Sequence, residues 1–206
     1  MRRYLPFLFF LLFLSTAFGQ SFSSSNLPLV LVHTGGKTIS DDPKIDAAMG
    51  IIWNGAGKTN ALTDDFNDYN GKIGIELRGS SSQGFPKKSY GLELKNDHGE
   101  DIDASLLGMP AEEDWILYGP YSDKTLIRNV LIFTLDAALG HYSPRCRFVE
   151  LFLNDQYQGV YVLMEKIKRD DLRLDLAKLN PDELSGEDLT GGYIIKILKF
   201  RSLINS

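Results

Sequence analysis

Two segments of alternating polarity flank a short polar loop in the stretch "KIGIELRGSSSQGFPKKSYGLELK", residues 72–95. In the first, Ile73, Ile75 and Leu77 fall on one face and Lys72, Glu76 and Arg78 on the other. In the second, Tyr90, Leu92 and Leu94 stand against Lys88 and Glu93. A period of two marks a half-buried strand, because successive side chains of an extended chain point to opposite faces. The chain must therefore build a sheet here, and "RGSSSQGFPKKSY" connects two neighbouring strands.

The same reasoning extends along the chain. "LPLVLVH" (27–33) is apolar and β-branched and reads as a buried strand. "RFVELFLNDQYQGVYVLMEKI" reads as a hairpin with strands near 147–153 and 159–166, turned at Asn154-Asp155. "IDAAMGIIW" is open between strand and short helix, and the long polar loop after it is closed by Asn70-Gly71, a hairpin-type turn pair. "DHGEDIDASLLGMP" reads as an acidic loop and a short apolar turn. The helix signal lies at 123–139: Ser122 or Asp123 caps the start, Gly140 suits the residue just past the end, and Ile127, Val130, Leu131, Thr134 and Ala138 recur at helical spacing. The expected fold is α+β, an antiparallel sheet with one main helix.

The first nineteen residues carry Arg2 and Arg3, an apolar run from Leu5 to Leu14, and small residues at Ala17 and Gly19. This is the pattern of a secretory signal, with an apolar run shorter than the ~20 residues a membrane span needs. A serine-rich linker (20–26) follows, and the mature chain of one domain would be extracytoplasmic: secreted, periplasmic or at the cell surface, with no membrane association after cleavage. A net charge of −5 argues against a general nucleic-acid binder. The single cysteine, Cys146, has no partner for an internal disulfide and no histidine near it in sequence, so it reads as a packed residue.

Most motif matches carry no chemistry. "GAGKT" lacks the first glycine at P-loop spacing, the carboxylates of 64–70 miss calcium-loop spacing, and the serines of "GSSSQG" form no nucleophile elbow. His33, His98 and His141 are too far apart in sequence for ligand spacing. The loop at 78–90 is different. Gly79 and Gly84 allow close backbone approach, Ser80, Ser81 and Ser82 offer hydroxyls, Arg78 can grip a phosphate with two donors, and Lys88 can act as a point charge. By composition alone, a solvated hairpin remains the alternative to an anion cradle. If it is a cradle, Arg78 and Lys88 are expected on the same side.

Four blocks, "IELRGSSSQGFPKKSYGLEL", "LLGMPAEEDWILYGPYSDKTLIRNVL", "RFVELFLNDQYQGVYVLMEKIKR" and "LTGGYIIK", closely resemble the spore coat protein H (CotH) family, over about residues 27–196. The resemblance implies an atypical kinase-like fold, here the small lobe with extensions, and ATP-dependent phosphorylation of extracytoplasmic proteins with a divalent metal such as Mg²⁺. It marks Arg78, Gly79 and Ser81 as the family's R-G-x-S loop, Lys87 and Lys88 as its lysine pair, and Glu165 as the acidic residue ending the hairpin. Together these six are the expected nucleotide-facing residues, with Lys88 on the ATP phosphates and Glu165 either orienting a basic partner or marking the hinge, a plain surface carboxylate at a strand end being the alternative for it. Nucleotide and a protein acceptor are the implied partners. The family's two catalytic aspartates have no counterpart in these blocks, and Leu198 stands where an aspartate usually follows "GGYIIKI". The expectation is a chain truncated or frameshifted near Ile197, with a divergent tail at 197–206 and no catalysis of its own. The competing class is a non-catalytic cell-surface binding or adhesion module.

Overall fold

The computed structural model describes residues 22–186 and Ile194. The signal-like segment and the tail at 197–206 lie outside the described residues. Nine strands and one helix follow in order: β1 (Ser24–Ser25), β2 (Leu29–His33), β3 (Ile45–Ile52), β4 (Asn60–Ala61), β5 (Tyr69–Arg78), β6 (Ser89–Lys95), β7 (Asp114–Tyr118), α1 (Arg128–Ala138), β8 (Cys146–Leu153) and β9 (Gln156–Glu165). Seven strands form a closed barrel in the order β2-β3-β5-β6-β7-β9-β8. All neighbours are antiparallel except β2 and β8, whose parallel pairing closes the ring. The α+β expectation, a sheet with one main helix resembling a protein-kinase small lobe, is thereby corrected: the described residues form a mostly β molecule with one short helix. The physical reason is that each long strand presents an apolar face to the same interior. Closing the ring buries all those faces together and leaves no unpaired edge.

The interior holds Val30, Val32, Met49, Ile51, Ile73, Ile75, Leu92, Leu94, Trp115, Leu117, Val149, Leu151, Tyr161 and Leu163, and Leu106, Leu107 and Met109 from the loop before β7 join it. The alternation at 72–95 is realised in register, with Ile73 opposite Leu94 and Ile75 opposite Leu92. The ambiguous segment is a strand, because β3 is held on both sides, by β2 and by β5. Asn70-Gly71 is not a turn: both residues lie in β5, opposite Gly50 and Met49. The Asn154-Asp155 turn is present, with φ of 48° and 63°, the positive pair that a two-residue hairpin connection requires. Part of the expected linker is tied down, with β1 paired to β4 and Phe22 packed edge-on against Phe152, 5.0 Å between ring centres.

The helix is shorter than 123–139. The Asp123 carboxylate accepts the N–H groups of Thr125 (3.0 Å) and Arg128 (2.9 Å), and Leu126 takes φ 63°. The residues after Asp123 therefore make a turn, and helical geometry begins only at Arg128. The helix lies against the outer face of the barrel, where Val130 and Phe133 pack on Ile116, Val162 and Met164. Leu131, Leu135 and Leu139 stay at least half exposed, at 50%, 52% and 75%. Cys146 belongs to this outer cluster, and burial pushes its thiol above the usual range.

Candidate functional site

Between this outer face and α1 runs a groove of about 650 Å³, within the size range of small-molecule sites. Its walls include Ile116, Met164 and Phe133, and its charged groups are Asp41, Lys44, Glu76, Arg78, Asp114, Glu165 and Lys166. Strand geometry accounts for the placement. On β5 and β6 the outward positions pair Arg78 with Ser89, Glu76 with Gly91, and Gly74 with Glu93. The two glycines keep this face open: a Cβ on Gly91 would lie 2.9 Å from a Glu76 carboxylate oxygen, and one on Gly74 3.3 Å from the Lys44 stem.

Of the six residues expected at the site, Arg78, Gly79 and Glu165 line the groove, and Ser81, Lys87 and Lys88 do not. Gly79 has φ 110°, and a Cβ there would collide with the Ser82 hydroxyl, so the loop turns on this glycine. Ser81 opens a short 3-10 turn, Ser81–Gly84, on the surface. Gln83 ties the turn back through its amide to the Gly79 carbonyl (2.7 Å) and to Asp41 (2.5 Å). Lys88 donates to the Gln83 carbonyl at 2.6 Å. Lys87 lies over the Tyr161 ring, 4.3 Å from its centre, and donates to the Gln158 carbonyl at 3.0 Å. Burial lowers its pKa, with Glu150 opposing. Arg78 and Lys88 are thus not side by side. Arg78 pairs with Ser89 on the outward face, whereas Lys88, expected to face outward opposite Tyr90 and Leu92, in fact shares their even parity, and those two point inward.

Glu165 is fully buried, not a surface carboxylate, and it is paired with Arg145. Its carboxylate accepts the Arg145 guanidinium at 2.8 Å and the Arg145 backbone N–H at 2.9 Å. Sequence reasoning missed Lys44, Glu76, Asp114 and Lys166 as groove residues. Lys44 precedes β3 in a stretch with no periodicity to show its direction. Lys166 follows Glu165 directly and could have been named with it.

Most of the charges here are matched. Lys44 meets Glu93 at 3.0 Å, and Lys166 meets Asp114 at 2.8 Å. Lys168 reaches Glu112 (2.5 Å), Glu113 (2.8 Å) and Asp114 (3.4 Å). Burial alone would raise the pKa of Asp114, but the hydrogen bond from Lys166 and the charges of Lys166 and Lys168 outweigh it and hold the carboxyl below its usual range. Among the groove cations Arg78 is the exception: it forms no ion pair among the described residues, with Glu76 beside it on the same face, and of the groove carboxylates Asp41 and Glu76 form none either. An unmatched guanidinium on the wall of a half-apolar groove is what an anion with an apolar attachment would seek.

Comparison with known proteins fits this description. The chain is 29% identical over 155 residues to the inner spore coat protein H of Bacillus subtilis (strain 168), a match covering 70% of this chain and 35% of that protein, so the chain spans about a third of the relative it matches. The sequence model of the family described as CotH kinase protein matches residues 75–201, a span that takes in the Arg78 loop, α1 and the β8–β9 hairpin. More than half of the chain is covered by that match, and the protein belongs to the CotH family.

Proposed function

We propose that the groove takes the polyphosphate of a nucleotide, and that the chain is the nucleotide-facing part of an exported CotH-type protein whose full activity is ATP-dependent phosphorylation of extracytoplasmic proteins. The observation that carries this reading is Arg78, the one cation lining the groove that forms no ion pair among the described residues, Lys44 and Lys166 being held by Glu93 and Asp114. Arg78 would hold phosphate oxygens through two parallel donors, and Gly79 lets the backbone come close. Ile116, Met164 and Phe133 would cover an apolar or aromatic base and exclude water. ATP, when bound, supplies the phosphoryl group, and this chain's residues bind and orient it.

A divalent metal fits the described residues less well. Their one cluster of three ligand-type side chains is Asp103, Glu112 and Glu113, and the Lys168 ammonium already occupies the two glutamates. Those carboxylates serve as the counter-charge of a lysine rather than as an open ligand set.

The test is titration of the chain with a fluorescent ATP analogue, with and without Mg²⁺. The expected result is saturable, salt-sensitive binding, since exposed charges are screened within ~10 Å at 0.1 M salt. Arg78→Ala should weaken it by about tenfold or more, the equivalent of one lost charge-assisted contact, and leave the urea midpoint unchanged. No binding by the unaltered chain would overturn the nucleotide reading and favour the binding-module class. Equal binding by Arg78→Ala would remove Arg78 from it.

A further inference from the structure

Lys44 lies outside the family-matched span of 75–201, on the segment that leads into β3. That segment is sewn to the Arg78 loop. The Leu77 N–H donates to the Ser40 carbonyl at 2.6 Å, the Ser40 hydroxyl to the Pro43 carbonyl at 2.6 Å, and the Gln83 amide to Asp41 at 2.5 Å. Residues 40–44 thereby become a wall of the same groove, with Asp41 and Lys44 facing the space that Arg78 faces.

The Lys44 stem lies across Gly74, where no side chain impedes it. Its ammonium rests on Glu93, with 23% and 21% of the two side chains exposed. Glu93 does not depend on it, because its other oxygen is 3.5 Å from Lys95, which is itself 3.4 Å from Asp101. If Lys44 leaves, Glu93 keeps a cation. Burial lowers the Lys44 pKa, but Glu93, Glu76 and Asp114 raise it further, so the group remains an ammonium at neutral pH.

We infer that Lys44 is a second, movable polyphosphate ligand of the groove, held on Glu93 in the empty state and transferred to the anion once Arg78 has bound it. This rests on the polyphosphate reading above and adds a specificity to it: a chain of phosphates long enough to engage both cations is favoured over a single phosphate. The transfer leaves no carboxylate without a cation, since Glu93 keeps Lys95 at 3.5 Å, and an ammonium–phosphate bond is stronger than a neutral hydrogen bond. Lysine suits the task, because its charge sits on a flexible four-carbon stem with rotatable donors.

The experiment is calorimetric titration with inorganic tripolyphosphate and, separately, with AMP, on the full chain and on Lys44→Met, Lys44→Arg, Glu93→Gln and Lys44→Met/Glu93→Gln. Lys44→Met should lose about fivefold or more in tripolyphosphate affinity with AMP affinity unchanged, and Lys44→Arg should retain most of it. Glu93→Gln should bind tripolyphosphate more tightly, and that gain should vanish in the double variant. A Lys44→Met variant that binds tripolyphosphate as the parent does overturns the inference. So does a Glu93→Gln gain that persists without Lys44, because it would then be a general charge effect. If the parent binds neither tripolyphosphate nor AMP, the polyphosphate reading itself fails and the Lys44 role with it. Glu93→Gln and Lys44→Arg keep the test decisive should Lys44→Met fold poorly.

Discussion

Replacing Arg173 by Met should be among the most damaging single changes in the barrel, although Arg173 lies in an irregular segment after β9. Its side chain is fully buried, stacked 4.9 Å above the Trp115 ring and 3.1 Å from Glu112. It donates to the backbone carbonyls of Asp114 (2.7 Å) and Lys166 (2.9 Å). The substitution leaves a buried carboxylate short of one cation and two carbonyls short of a charged donor. Breaking one side of such a pair costs about 3–5 kcal/mol. The guanidinium also carries two buried nitrogens, Nε and Nη2, with no acceptor among the described residues, and Met removes those as well. The expected cost is therefore at the lower end, about 3 kcal/mol. With a urea slope of about 2 kcal/mol/M, the unfolding midpoint should fall by about 1.5 M. Trp115, directly beneath the guanidinium, reports the transition by fluorescence. Glu112→Gln should cost much less in the Arg173→Met background than alone, because the two share one network. A midpoint shift under about 0.3 M, or additive effects in the pair, would show that Arg173 is not the anchor of this segment. The same segment carries Lys166 and Ile167 into the groove, so the variant should also weaken nucleotide binding.

Three further outcomes concern the carboxylates around Lys168 and the glycine that follows β7. Glu113 is held low by the Lys168 hydrogen bond, and Asp114 by Lys166 and Lys168 against its burial. A carboxyl depressed in the folded state contributes stability above its unfolded pKa and loses it as pH falls through the folded one. The urea midpoint should thus drop on acidification below about pH 4. Asp103, raised by its hydrogen bond with Glu113, acts with the opposite sign, so Asp103→Asn should steepen that drop. Gly119→Ala should lower the thermal midpoint, at a cost of about 1–3 kcal/mol for overpacking: the new Cβ would stand 2.5 Å from the Lys88 carbonyl oxygen, which is backbone and cannot swing aside.

The strands at 72–78 and 88–95 were legible from their alternation, and those at 27–33, 147–153 and 159–166 from apolar, β-branched runs and the Asn154-Asp155 turn, although these three are buried on both faces along part of their length. β7 was not, and the reason is specific. Trp115 and Leu117 point inward, but Ile116 on the opposite face is covered by Val130 and Phe133 of α1, so "DWILY" has no alternation to detect. Barrel closure was equally hidden, since the pairing of β2 with β8 is a long-range contact without a local signature. The helix was placed but overextended, because Asp123 caps a turn rather than the helix itself. At the site, the R-G-x-S loop was found from residue types and motif resemblance, and it delivered Arg78 and Gly79. The lysine pair drew attention by its charge, yet its ammonium groups are occupied by the carbonyls of Gln158 and Gln83. Lys44 reaches the groove only through tertiary contacts of residues 40–44.

The parallel seam between β2 and β8 also governs the order in which this molecule can assemble. Thr34, at the end of β2, bonds through its backbone N–H to the Asn154 side chain, 120 residues away. Until the β8–β9 hairpin arrives, the earlier strands can form only an open sheet, β2-β3-β5-β6-β7, with β2 and β7 as its two bare edges. One of those edges is "LVLVH", an apolar β-branched strand of the kind that pairs readily with another chain. Contacts of such long separation slow folding, and the waiting species is the one most exposed to aggregation. Damage to the hairpin, however distant from the groove, thus acts first on solubility during folding and only secondarily on the finished site.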